Sequence, residues 1–202
     1  QFSTPDAVFA LAKTLRAHDE TQAALQVAEH GLTLDGYGKD TLAAWLRDCA
    51  TSAGDHEIAL EAAITAFEES PSVKSYQAVN ELAAGNWGSI RANLLNTLQE
   101  QNPTSSHAAE VFLQEDLYDE AIEVAERSGR TNVIESVVEV VTEERPQWVI
   151  TMCKSQAEPT VEQGQHDNYR TAVRWLRRAG EAAQAADELD EWREYVETMR
   201  ND

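Results

Sequence analysis

A chain of 202 residues with 36 Asp and Glu against 16 Lys and Arg carries a formal charge of -20, which repels phosphate backbones and anionic lipid. Direct nucleic-acid binding is therefore not expected, and no apolar run approaches the roughly eighteen residues that a bilayer span needs. The length suits a single domain.

Lys13, Lys39, Lys74 and Lys154 are the lysines; the remaining cations are arginines. An acid-rich, lysine-poor chain suits a salt-rich cytoplasm, where repulsion between carboxylates is screened over roughly 3 Å at 1 M salt. An ordinary acidic protein is the alternative. Cys49 and Cys153 stand far apart in apolar, helix-like contexts, which predicts buried free thiols in a reducing compartment. The start lacks the basic-then-apolar pattern of a signal peptide, so the expected location is cytoplasmic. Gln1 in first place suggests a processed or excised chain.

Apolar residues recur at three- and four-residue spacing along nearly the whole chain, and no run alternates apolar with polar residues, so the predicted class is all-α. Breakers at His18-Asp19, Gly36-Tyr37-Gly38, Gly54, Ser70-Pro71, Gly85, Asn102-Pro103, Asp116, Gly129, Arg145-Pro146, Gly164 and Asp187 to Asp190 separate the helices. Tight turns at that spacing force sequential neighbours to pack antiparallel.

A period accompanies the breakers. Gly54, Gly85 and Asp116 are 31 residues apart, and Asp19 stands 35 before Gly54. Five residues after each turn comes Ala24, Ala59, Ile90 or Ala121, and nine after it Ala28, Ala63, Leu94 or Ala125. Small or aliphatic residues four apart allow close helix approach, and short hairpins must bury their apolar faces against further copies. Around Gly54 the pattern is tetratricopeptide-like, with Leu46, Ala59, Ala66 and Pro71 in place but Ala43 and Ala50 where large aromatics usually stand.

After residue 144 the period lapses. Pro146 is well placed to open a helix through Trp148, Ile150 and Cys153, and Pro159 is expected to end or kink it. From Asn168 a long helix follows, with Tyr169, Ala172, Val173, Leu176, Ala179 and Ala183 on one side; the last carries Leu189, Trp192, Val196 and Met199. The expected architecture is one helical-repeat domain over residues 1–202, with stacked antiparallel hairpins in 1–144 and capping helices in 145–202. Its fold class is all-α, a tetratricopeptide-like right-handed α-solenoid.

The strings TLAAWLRDCATSAGDHEIALEAAITAFEESPSVKSYQAVNELA, VFLQEDLYDEAIEVAE, ERPQWVI and YRTAVRWLRRAG, in this order and spacing from about residue 40 to residue 195, resemble the helical region after the zinc finger in SWIM zinc-finger family proteins. The resemblance implies a helical accessory domain beside a finger that contacts DNA or protein. The family's Cys-x-Cys and Cys-x-His ligands have no counterpart here, so zinc binding is carried onto no residue.

No phosphate loop, dinucleotide fingerprint, metalloprotease helix or nucleophile elbow occurs, so enzymatic activity is not expected, and no catalytic, cofactor-binding or metal residue is assigned. His18, Asp19 and Glu20, or His166 with Asp167, stand at predicted turns, where capping is favoured over metal ligation. Trp45, Trp87, Trp148, Trp175 and Trp192 are expected in the core. Arg170, Arg174, Arg177 and Arg178 line one helix face and form the candidate partner-binding set, suited to an acidic peptide or a phosphate. At this net charge, satisfaction by acidic neighbours is the expected alternative. The function read from these features is a non-enzymatic scaffold for protein or peptide partners; the alternative is an accessory domain of a SWIM zinc-finger protein.

Overall fold

A computed structural model of the chain describes residues 4–162 and 166–201. Among them the chain is all-α, with twelve α-helices, a 3-10 turn at Ala84–Asn86 and no strand. It comprises two compact units, residues 1–115 and 116–202. The first holds α1 (Pro5–Ala17), α2 (Thr21–Leu32), α3 (Lys39–Ala53), α4 (His56–Glu69), α5 (Val73–Leu82), α6 (Trp87–Gln101) and α7 (Ser106–Gln114). The second holds α8 (Tyr118–Ser128), α9 (Thr131–Val141), α10 (Pro146–Glu162), α11 (His166–Ala185) and α12 (Leu189–Asn201). This grouping places α8 and α9 with the C-terminal helices, ahead of the division that the lapsing period suggests at residue 144.

In the first unit α1 and α2, then α3 and α4, pair as antiparallel hairpins, and α1 packs on α3 while α2 packs on α4. The hairpins share one turn chemistry. Asp19 and Gly54 are left-handed, at φ 63° and 79°. The next amide donates back across the helix end, Glu20 to the Leu15 carbonyl at 3.0 Å and Asp55 to that of Ala50 at 2.9 Å. Asp187, φ 60°, repeats this between α11 and α12, where the Glu188 amide donates to Ala183 at 2.8 Å.

The third turn departs from the expectation. Gly85 lies inside the 3-10 turn, and the left-handed residue is Ala84 at φ 45°. A 3-10 turn leads there straight into α6, whose first residue, Trp87, sets its ring 5.2 Å from that of Tyr76. Tyr76 in turn meets Phe67 at 5.7 Å.

Close helix approach rests on the small residues that the period singles out. Ala24, Ala28, Ala59, Ala63, Ala121 and Ala125 are buried, as is Leu94, whereas Ile90 is half-buried. In α2 a Cβ at Gly31 would stand 2.6 Å from both Leu42 of α3 and Val8 of α1. The expectation that all five tryptophans are core is corrected: Trp175 is buried, but Trp45, Trp87, Trp148 and Trp192 are half-buried. Trp87 packs on buried Tyr76, and the other three have partners nearer the surface. Trp45 meets Phe9 edge-on, Trp148 Nε1 donates to Glu126 at 2.9 Å, and Trp192 leans on Tyr195.

In the second unit α9 buries Val133, Ile134, Val137, Val138 and Val141, and α10 buries Val149, Cys153 and Ala157 against Ala172, Trp175, Ala179 and Ala183 of α11. Pro146 opens α10 as expected, but the helix carries on past Pro159 to Glu162. The expected break at Gly164 lies outside the described residues. α11 starts at His166 rather than Asn168, and Val173, expected on its apolar side, is 47% exposed.

Candidate partner-binding face

At about 100° per residue, positions 170, 174, 177 and 178 of α11 fall within an arc of about 100°, opposite the arc that carries Ala172, Trp175, Ala179 and Ala183. The helix is thus held by its inner face and displays four guanidinium groups on its outer one. They do not share one fate. Arg174 pairs with Glu135 of α9, and Arg178 stands 4.0 Å from Glu139 of the same helix. Both pairs join residues 39 apart, so α9 and α11 run parallel, bridged along their flank by ion pairs.

Arg170 and Arg177 are exposed and have no ion-pair partner among the described residues. They are seven residues apart, two helical turns, which sets them about 10 Å from each other on one line. Five other arginines pair with acids, Arg47 with Asp48, Arg91 with Glu115, Arg127 with Glu123, Arg145 with Asp119 and Arg193 with Asp190, whereas exposed Arg16 donates to Thr21 Oγ1 at 3.2 Å. The bland expectation, that every member of the stripe is satisfied internally, therefore holds for half of it.

Between α9 and α11 runs a furrow of about 320 Å³ lined by Glu139, Thr142, Arg174, Arg177, Arg178 and Glu181. Through Glu139, Thr142 and Glu181 it continues into a hollow of about 690 Å³ that adds Tyr118, Val140, Glu143, Glu144, Gln184 and Ala185. The furrow is polarised along its length. Its beginning carries the guanidinium of Arg177, with Arg170 two turns back along α11 and outside the furrow's lining, and its end carries Glu181, Glu143 and Glu144; all five are exposed and without an ion-pair partner among the described residues. Val173 and Val140, 47% and 50% exposed, add apolar surface on α11 and α9.

Sequence reasoning finds the stripe but misses the polarity, because Glu135 and Glu139 meet the arginines only once α9 and α11 are known to lie side by side. The four-residue spacing of Glu135, Glu139 and Glu143 is the signal that was there to read. The first unit has a furrow too, about 510 Å³ between α3 and α5, but Arg47, Asp48, Lys74 and Glu81 intersperse both signs along it. His18 is the C-cap residue of α1, and Glu20 precedes α2 without a side-chain cap bond. The side chains of His166 and Asp167 lie outside the described residues. Cys49 is half-buried and Cys153 buried, both as free thiols. No helix among the described residues is long and apolar enough to cross a membrane.

No family model matches the chain, and no curated protein matches it. Among solved structures it is similar to a de novo designed helical repeat protein, at 19% identity over 98% of this chain and 93% of that one, with a TM-score of 0.22.

Proposed function

We propose that the chain is a non-enzymatic helical-repeat scaffold that holds a protein partner, and that the outward face of α11 is the contact. The observation that carries this is the pair Arg170 and Arg177, exposed and without an ion-pair partner among the described residues, in a chain of net charge -20 in which Arg47, Arg91, Arg127, Arg145 and Arg193 are paired. Guanidinium groups bind carboxylates through two parallel hydrogen bonds, and on a helix packed along its inner side their spacing is set before the partner arrives. Exposed Val173, one turn from each free arginine, supplies the apolar contact that a charged face alone lacks.

A photo-crosslinking residue at position 173, introduced in the source cell, tests the reading. A polypeptide adduct that disappears in the Arg170→Ala/Arg177→Ala variant supports it. No adduct, or an adduct indifferent to both arginines, overturns it. The ordered strings that resemble SWIM zinc-finger proteins favour a second reading, in which this face pairs or regulates the finger-bearing part.

A further inference from the structure

We infer that the polarised furrow between α9 and α11 is the interface of a two-fold symmetric dimer, in which the arginine end of one copy lies over the carboxylate end of the other. The inference rests on the reading of α11 as a contact face and names its occupant: a second copy of this chain.

An acidic peptide would use only half of what the furrow displays. Arg177 in the furrow and Arg170 beyond it on the same line of α11 would be engaged, while Glu181, Glu143 and Glu144 would line the furrow as unpartnered like charges beside the incoming carboxylates. A partner that satisfies both ends must itself run from negative to positive along about 16 Å of helix, the span from Arg170 to Glu181. The outer face of α11, with the furrow beside it, has that property. Two-fold symmetry makes an interface self-complementary, so that if residue i meets residue j, then j meets i. A row of charges with one sign at each end is self-complementary when its copy is laid antiparallel.

The register follows from the spacing. Arg177 and Glu181 are one turn apart, and a two-fold axis crossing the outer face midway between them sets Arg177 of each copy against Glu181 of the other. Glu143, level with residue 182 of α11 by the same 39-residue offset as the two ion pairs, then also faces Arg177 of the other copy, and Arg170, two turns further out, reaches past the end of the second copy's α11 to the level of Glu188. Arg174 and Arg178 stay with Glu135 and Glu139 within their own copy and hold α9 and α11 in place. Repulsion between two chains of charge -20 opposes approach, but beyond about 8 Å it is screened at 0.15 M salt, whereas the contact pairs act at closer range.

Sedimentation equilibrium of the full chain from about 10 µM to about 1 mM in about 0.15 M salt decides the matter, a range that covers weak, rim-charged interfaces. The wild type is expected to self-associate. The double variants Arg170→Glu/Arg177→Glu and Glu143→Arg/Glu181→Arg should each dissociate at least about tenfold more readily, and an equimolar mixture of the two should form a heterodimer. Arg170→Gln/Arg177→Gln guards against misfolding by charge reversal: with an unchanged helical signal it should also weaken association. A wild type that stays monomeric throughout, association indifferent to these changes, or two folded variants that fail to pair with each other would overturn the inference. A monomeric wild type whose position-173 crosslink reaches a different protein sinks the dimer and leaves the scaffold standing; the absence of any adduct sinks the scaffold itself.

Discussion

Cys153 has no exposed surface, and burial pushes its thiol up to about 12, with Arg178 pulling slightly the other way and Glu181 adding to the rise. A thiol raised in this way favours the folded state while it stays protonated. That stability is fully present below the ordinary thiol value near 9 and is lost as pH rises from 9 through 12, at up to about 1.4 kcal/mol per pH unit. The melting temperature of the wild type is therefore expected to fall between about pH 9 and 10.5 more steeply than that of Cys153→Ala, as thermal melts across that range would show. Under native conditions at about pH 8, iodoacetamide should label half-buried Cys49 well before Cys153, read by peptide mass spectrometry. Arg174 illustrates the opposite regime. Its side chain is 56% exposed, so its pair with Glu135 contributes about 0 to 1 kcal/mol, and Arg174→Ala should lower the melting temperature by no more than about 4 °C.

The helices test how far local chemistry sets packing. Alanine is the better helix former by about 1 kcal/mol, yet Gly31→Ala is expected to destabilise the protein, because the new methyl meets Val8 and Leu42 at 2.6 Å with buried helices behind both. Overpacking of this kind costs about 1 to 3 kcal/mol, so a denaturant midpoint at or above the wild type would refute the account. At this scale much was legible from the sequence. The left-handed turns at Asp19 and Gly54, the alanines at fixed offsets and Pro146 at the head of α10 each follow from a residue's own stereochemistry. What was not legible depended on partners. Ala84 takes the strained conformation instead of Gly85 in a turn that runs directly into Trp87, whose ring packs on Tyr76. Val173 reads as apolar and periodic but falls outside the buried arc, which runs from Ala182 through Trp175 and Ala179 to Ala183 and is centred near Ala179. The candidate face divides in the same way: the arginine stripe is a matter of spacing within one helix, whereas its split into paired and free members depends on α9 lying beside α11.

At the scale of the molecule the charge is spread over both units: residues 1–115 hold 16 acidic and six basic side chains, and residues 116–202 hold 20 and ten. No charged side chain among the described residues is buried, so the excess lies at the surface, where each carboxylate keeps its water but feels its neighbours. Folding gathers these charges into a smaller volume than the unfolded chain gives them, so their repulsion opposes the native state more than the denatured one. Salt shortens the reach of that repulsion from about 10 Å at 0.1 M to about 3 Å at 1 M. The exposed ion pairs it also weakens contribute about 0 to 1 kcal/mol each and number far fewer than the carboxylates. Relief of repulsion therefore outweighs loss of pairing, and the melting temperature should climb as sodium chloride rises from 0.1 M to 2 M. Screening gives the climb a characteristic shape: steepest below about 0.5 M, where the Debye length changes most, and shallow above it. Calorimetric melts across that series that were flat or falling would show that the carboxylates do not limit stability, and would remove the physical basis for reading this composition as fitted to a salt-rich cytoplasm.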